Sequence, residues 1–542
     1  MSKVAEYLQE HIQGKVSVNP GVLRAASKDG SVLSITPEMV IYPRVTNDLR
    51  KITRFAWQLA EKGHVLALTA RGSGTDQTGG AIGKGAVIVL PTYMNRIFEL
   101  DAKQKLIRVQ PGVDVVTLSN ALALQGLGVP PLLSMANGTV GGAVANNAHG
   151  VFSGRYGDVR DWTHQLEVVL SSGDVLQTSR LSKRELNKKK SLQTFEGEIY
   201  RTLDGLITEN AEMIDQKLGG SAPDNVGYAS IAKVKRKDGS FDLTPLFAGS
   251  QGTLGIISEM ILKTEFISAH QGVAIATFAT TEAARDAIDK LVGLEPSLLE
   301  YFDNALFTIA AAQGKVYEFY KNTPQPVQAV VLVGFNDFNE RANTKKLKKV
   351  VKLLSNSDIE VIIADNEDAN ELLEVRDVVS YLLSPSEKDL SAPALFDGVF
   401  IPPARFEEFA GAVSKLAAKH DVTLPIYSRE LESILFTRPF LHLHKVGDKQ
   451  KIFKLLDEFS QLVTQYGGQL IAQDGEGRVK AQFAYASLDD DVLALFESIK
   501  KAFDPYGILN PGVKQKTELR QLVSHLRTDF DDQPTAHERP TY

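Results

Sequence analysis

Apolar residues follow two rhythms along the first half of this chain. Short β-branched runs, Val65 to Thr69, Ala86 to Leu90 and Leu106 to Val109, read as strands. Among them, Asn47 to Glu61 and Asp114 to Gln125 repeat their apolar positions at helical spacing. Glycine clusters punctuate this half at Arg71–Gly85, Asn137–Gly142 and Gly249–Gly255. Such clusters mark tight turns or a close approach of the backbone to something else.

The texture changes near residue 267. Gly272 to Phe278 reads as a strand and Thr281 to Val292 as a helix; Ala329 to Phe335 and Asn339 to Leu354 repeat that pair. Gly398 to Ile401 then leads into a helix with Phe406, Phe409, Val413, Leu416 and Ala417 on one face. Phe440 to His444 alternates like a strand, and Ile452, Leu455, Leu456, Phe459, Leu462, Val463 and Tyr466 form a second helical stripe. Strands alternating with single helices, twice over, predict an α+β module of two similar halves. The last stretch, Glu518 to Tyr542, is polar, with Asp529, Asp531 and Asp532 around Phe530, and its end is expected to fray.

Composition narrows the chemistry. With 43% apolar and 23% charged residues, disorder is excluded as the main state. A net charge of −6 and the lack of a basic stripe argue against a nucleic-acid partner. There is no cysteine, which excludes disulfides, thiolate metal sites, iron–sulfur clusters and a cysteine nucleophile. Met1 to Val18 is interrupted by Glu6, Glu10 and His11, unlike a signal peptide, and no run approaches the ~18 apolar residues of a transmembrane helix. The expectation is a cytoplasmic protein, with peripheral contact to a membrane left open.

The chemistry sits in the glycine clusters. Arg71-Gly72-Ser73-Gly74-Thr75, running on to Gly79-Gly80, follows a strand, where successive N–H groups can face a phosphate; a ligand-free hairpin loop would read the same way. The second cluster, Asn137-Gly138-Thr139-Val140-Gly141-Gly142, continues through Asn146-Asn147-Ala148-His149-Gly150. The third is Phe247-Ala248-Gly249-Ser250-Gln251-Gly252-Thr253-Leu254-Gly255. Neither closes on the Gly-Lys-Ser/Thr of a nucleotide loop or matches the dinucleotide fingerprint.

In this order the three motifs resemble the FAD-binding domain of the vanillyl-alcohol oxidase and p-cresol methylhydroxylase (PCMH) superfamily, over about residues 36 to 267. The resemblance implies that Arg71, Gly72, Ser73, Gly74 and Thr75 grip the FAD pyrophosphate. It implies that Gly138, Thr139, Gly141 and Gly142, with Asn147 beyond them, lie along the flavin. Gly252, Gly255 and Ile256 would close the site, and Pro111 of Pro111-Gly112 and Tyr42-Pro43 also match. No histidine lies between Arg71 and Gly80, so FAD is expected to be non-covalent. Further on, Glu300-Tyr301-Phe302-Asp303, Glu374-Val375-Arg376, Tyr466-Gly467-Gly468 and the ending Phe503 to Gly512, with Asn510 as a cofactor contact, resemble the D-lactate dehydrogenase and glycolate oxidase large-subunit branch.

That branch implies an α+β fold: a two-part FAD-binding domain plus a cap domain with an antiparallel sheet flanked by helices. The expected division is a helical segment at 1–35, the FAD domain at 36–267, the cap at 268–470, a return to the FAD domain at 471–515 and a polar tail at 516–542. The branch implies oxidation of D-2-hydroxy acids, with electrons passed to a quinone, cytochrome or flavoprotein. Arg376, with Ser380 four residues on along the same helical face, fills the carboxylate-binding slot; an ion pair with Asp377, Glu374 or another acid is the competing reading. The lysine that follows in the family is replaced by Leu395, or is Lys388.

The chain departs from the branch at its metal and base positions. Arg429 and Phe436 stand where two metal-binding histidines belong, and Gln473-Asp474 replaces Glu-His. No family-type metal site is therefore expected. His442 and His444 could bind a metal or could belong to a solvated strand face. Asp474 and His149 are the candidate bases, against plain roles as turn and loop residues. A sugar or polyol oxidoreductase of the same fold, and a flavin-binding protein without turnover, remain alternatives.

Overall fold

The computed structural model describes residues 3–220, 225–321, 326–354, 361–365, 369, 372–383 and 390–528. It divides into two compact units. Among the described residues, the first comprises 3–150, 157–265 and 473–527, and the second 151–156, 266–472 and 528.

The first unit contains a four-stranded and a five-stranded sheet. In the four-stranded one, Lys15–Ser17 runs antiparallel to Met39–Tyr42, which is parallel to Ala86–Val89, itself parallel to Leu68–Arg71. The helix Thr46–Glu61 buries Leu49, Ile52, Ala56 and Ala60, and these join Ile41, Leu68 and Ile88 in one core. The expected strand Val65–Thr69 is shifted: the strand is Leu68–Arg71, and Val65 is exposed. The shift comes from the far end of the chain. Leu68 donates its N–H to Ile508 O and accepts from Asn510 N–H, so residues 508–510 complete the edge beside it. The second sheet is antiparallel and has five strands, in the order Ile97–Asp101, Leu106–Val109, Ile256–Lys263, Thr163–Val169 and Val175–Gln177.

The polar C-terminal stretch is more ordered than its composition suggests up to residue 527. Leu519–Ser524 is helical, Leu526 bridges to Leu33, and Arg527 N–H bonds Val32 O. Asp529 to Asp532 lie outside the described residues.

The second unit is built on a seven-stranded antiparallel sheet, in the order Val361–Asp365, Gly272–Phe278, Ala329–Phe335, Leu298–Asp303, Tyr427–Arg429, Ile434–Phe436 and Val399–Phe400. Every residue of Gly272–Phe278 and Ala329–Phe335 is buried, which requires cover on both faces. Helices Thr281–Val292 and Glu340–Leu354 pack on these strands. Helices Phe406–His420 and Val446–Gln465 pack on each other, with the Phe409 ring edge-on to Phe459 at 5.8 Å.

The expected strand Phe440–His444 does not form. Leu441 makes one bridge to Ser391, and the chain then turns into the helix Val446–Gln465. The Asp448 carboxylate in the first turn of that helix takes the His442 N–H at 2.8 Å, a group a strand ladder would need. Among the described residues no helix is long and apolar enough to cross a membrane.

Candidate flavin site

In the first unit the three glycine clusters converge on one cavity of about 280 Å³. The first loop leaves the strand Leu68–Arg71. Gly74 sits at φ +78°, and the Arg71 guanidinium folds back over it so closely that a Cβ there would collide with it. Arg71 Nη1 donates to Ala81 O at 3.1 Å, which fixes the fold of the loop. Among the described residues, the N–H groups of Gly72, Ser73, Gly74 and Thr75 donate to no protein acceptor, and all four residues line the cavity. Four successive free donors beside an arginine form a cradle for an anion such as a pyrophosphate.

The second loop is shaped by a helix cap. Thr139 Oγ1 accepts from Gly142 N–H at 3.1 Å and starts the helix Val140–Asn146. Gly141 donates to Pro111 O at 2.9 Å, and a Cβ on it would lie 2.5 Å from Pro111 Cβ. Gly138 and Gly252 are different. They sit at φ +100° and +70°, and a Cβ on either would meet only Thr75 Oγ1 at 3.6 Å or Ala70 Cβ at 3.8 Å. Their missing side chains keep the cavity open for a flat ligand. Free N–H donors, an adjoining arginine and a glycine-walled slot together fit FAD.

The return segment 473–479 closes the cavity through Asp474, held at φ +56°. Behind it, Glu476 and Lys514 form an ion pair at 2.7 Å with both side chains wholly buried. Glu476 Oε1 also accepts from Gly227 N–H at 2.8 Å and the Tyr485 hydroxyl at 2.7 Å. Lys514 donates to the carbonyls of Gly227 and Asn225, and Asn225 Nδ2 donates to Asp474 O. The pair thus sets the backbone position of Asp474.

A second charged cluster lies under the first loop. Asp76 lines the cavity and accepts from Gly80 N–H at 2.6 Å and Thr78 N–H at 3.0 Å. Burial and the neighbouring Asp76 push the Asp29 carboxyl up to about 7. Burial pulls Arg478 down to about 10 against the pull of Asp29 and Asp76.

The residues expected from sequence divide as follows. Arg71, Gly72, Ser73, Gly74, Thr75, Pro111, Gly138, Thr139, Gly141, Gly142, Gly252, Gly255 and Asp474 line the cavity. Asn147, Ile256 and Asn510 stand behind it. Asn147 binds Asp158 and Arg160 N–H, Ile256 is core, and Asn510 Nδ2 ties Gly80 O to Gln251 O at 2.8 Å each. His149 is buried 3.6 Å from Asp158, away from the lining. Asp158 itself falls to about 2, because Arg160, His149 and Lys233 outweigh its burial.

Arg376 and Ser380 belong to the second unit. Arg376 sits in a 3₁₀ turn, Glu374–Asp377, before the helix Val378–Leu383, so the two do not share one helical face. Ser380 Oγ donates to Asp377 O. The acid that pairs with Arg376 is Glu300, not Asp377 or Glu374. Leu395 is buried, and Lys388 lies outside the described residues. The Arg429 guanidinium stacks on the Phe436 ring at 4.8 Å, and among the described residues no group of three metal-binding side chains occurs. Sequence reasoning missed Asp76, Asn146 and Gln251 as cavity residues; the adjacency of Asp76 to Thr75 and the place of Gln251 inside the third motif were the available signals.

Comparison with known proteins agrees with this geometry. Residues 37–179 match the "FAD binding domain" family and residues 267–513 the "FAD linked oxidases, C-terminal domain" family. The chain is 25% identical to the glycolate oxidase subunit GlcD of Bacillus subtilis, over 90% of this chain and 91% of that protein. It is 24% identical to a D-lactate dehydrogenase of Archaeoglobus fulgidus, over 88% and 90%. Against the D-2-hydroxyglutarate dehydrogenase of Pantoea ananatis, 26% identical over 95% of this chain, it spans about half the length, 52%. The 4-ethylphenol oxidase of Gulosibacter chungangensis shares the fold, with a TM-score of 0.68 at 17% identity over 96% of this chain and 98% of that one. With both family regions matched in the chain and a glycine cradle in its first unit, the chain belongs to the FAD-linked oxidases with a PCMH-type FAD-binding domain, and is an FAD-dependent oxidoreductase.

Proposed function

We propose that this oxidoreductase is a dehydrogenase of a small 2-hydroxy acid, of the D-lactate or glycolate kind, and that it passes its electrons to a separate quinone, cytochrome or flavoprotein. FAD, when bound, supplies the two-electron acceptor, its N5 taking the hydride. The absence of a histidine from Arg71 to Gly80 supports non-covalent FAD, released by acid.

The observation that carries the substrate class is the setting of Arg376. Its Nε lies 2.8 Å from Glu300 Oε2, and Glu300 is almost wholly buried while the arginine side chain keeps 30% exposure. The Tyr427 hydroxyl holds the other Glu300 oxygen. A guanidinium held at Nε by Glu300 and still partly exposed has further N–H donors to offer a carboxylate. Burial alone would lower its pKa, but Glu300 and Tyr427 raise it, so it stays a cation.

As the C–H hydride leaves, the hydroxyl proton must also leave and a C=O forms. Asp474 is the residue we assign to take that proton. It lines the cavity, and Gln473 Nε2 steadies its Oδ2 at 3.3 Å.

Arg376→Ala tests the assignment. Removing a desolvated charge contact costs about 2–5 kcal/mol, or roughly 30-fold or more in kcat/KM for D-2-hydroxy acids. Arg376→Lys should recover only part of this, with FAD content normal in both, since the arginine is outside the glycine loops. If Arg376→Ala turns over hydroxy acids as fast as the parent, the sugar or polyol reading takes its place. That reading draws on Glu300, which already neutralises the arginine.

A further inference from the structure

Gln251 occupies the variable position of the third motif, and the flavin reading gives it no task. It is 5% exposed and sits at φ +50°, a conformation in which a residue with a side chain is uncommon. Every polar group it carries is engaged, and the partners come from four separate segments. Its backbone N–H donates to Ala145 O at 2.9 Å, and its carbonyl accepts from Asn510 Nδ2 at 2.8 Å. Its Oε1 accepts from Gly477 N–H at 3.0 Å, and its Nε2 donates to Asn146 Oδ1 at 3.0 Å and Thr78 Oγ1 at 3.2 Å. Gly475 packs so tightly on the amide that a Cβ there would collide with it.

These bonds have a direction. Gly477 offers an N–H, so the amide oxygen must face it. The NH₂ group then faces Thr78, whose hydroxyl donates to Asp76 Oδ2 at 3.0 Å. The chain Gly477, Gln251, Thr78, Asp76 thus runs from the return segment to a carboxylate in the first loop. Only a side chain that accepts at one end and donates at the other completes it.

We infer that Gln251 is the positioning residue that locks the return segment 473–479 and the three glycine loops into a single FAD-competent arrangement. It acts through Thr78, Asn146 and Gly477, and its effect is read in FAD affinity. A leucine offers neither donor nor acceptor. A glutamate keeps the acceptor for Gly477 but turns a second oxygen toward Thr78 and Asn146 Oδ1, with Asp76 beside them. The other charged groups on the packed segments are Asp474, Glu476 with its partner Lys514, Arg478 and Arg71, with Asp29 beside Asp76. A protonated glutamic acid regains the lost donor, so the glutamate variant should gain a pH dependence beyond that of the parent.

The experiment titrates apoprotein with FAD, following the quenching of flavin fluorescence, for the parent, Gln251→Leu, Gln251→Glu and Gly475→Ala. Gln251→Leu and Gly475→Ala should each weaken FAD binding by about tenfold or more, the scale of one buried polar bond left unmade. Gln251→Glu should bind weakly at about pH 8 and recover toward the parent at about pH 5.5, where a buried carboxyl regains its proton. Should the leucine variant fail to fold, as judged by far-UV circular dichroism, the glutamate variant decides. Parent-like affinity in both folded variants, or a glutamate variant whose pH profile matches the parent's, overturns the inference. A fall in apoprotein Tm with FAD affinity unchanged reduces Gln251 to a packing residue and overturns it as well.

Discussion

Replacing Lys514 with methionine removes the cation from a pair whose two side chains have no solvent exposure at all. The ammonium spends its hydrogens on Glu476 Oε2 at 2.7 Å, Gly227 O at 2.9 Å and Asn225 O at 3.3 Å. Methionine fills most of the volume but leaves a buried carboxylate without its counter-charge and two carbonyls without a donor. Breaking a buried pair in this way costs about 3–5 kcal/mol. For a large domain each kcal/mol moves Tm by roughly 2–4 °C, so the first unit should melt about 6–20 °C earlier. Adding Glu476→Gln should restore at least half of the loss. The amide oxygen still accepts from Gly227 N–H and the Tyr485 hydroxyl, and no charge is left buried. Calorimetry of the apoprotein for the parent, both single variants and the double variant measures this. A Lys514→Met variant within about 1 kcal/mol of the parent, or a double variant worse than either single, would refute the reasoning.

Other outcomes follow from the same geometry. Gly141→Val should abolish FAD retention by driving its side chain into Pro111, and Gly74→Val should do so by evicting the Arg71 guanidinium; unchanged flavin absorbance in both purified variants would contradict the loop assignment. Asp29 is raised from 3.8 to about 7 in the folded state, so the folded protein holds a proton there that the unfolded chain has lost. Its stabilising contribution is therefore full below about pH 4 and fades as pH rises through about 7, on the order of 4 kcal/mol in all. Asp29→Asn should lack that slope, so its stability relative to the parent should improve from pH 4 to pH 8 in denaturant melts; parallel pH profiles would count against the shift.

The glycine loops were legible because their residue types are forced, yet sequence alone misplaces the reason for some of them. Gly141 and Gly74 make room for Pro111 and Arg71, whereas Gly138 and Gly252 leave space to the cavity. Local periodicity found the strand Gly272–Phe278 and the helices around it because burial on both faces leaves an unbroken apolar run. It failed at Phe440–His444, where an aspartate beyond the run captures the backbone N–H, and at Val65, where the register is set by residues 508–510. Arg376 was found as a cation but not its partner Glu300, 76 residues away. Gln251 was invisible for the same reason, since its meaning lies in Thr78, Asn146 and Gly477, which only the folded chain brings together.

The central claim is that a flavin held in the glycine cradle is reduced by a small hydroxy acid. Anaerobic mixing of the purified yellow protein with D-lactate, glycolate, other D-2-hydroxy acids, and sugars and polyols as neutral controls, followed by visible absorbance, tests it most directly. The account predicts bleaching of the flavin band by at least one D-2-hydroxy acid and not by the neutral alcohols. Bleaching by the alcohols alone, or a band that no member of the panel reduces, would contradict it.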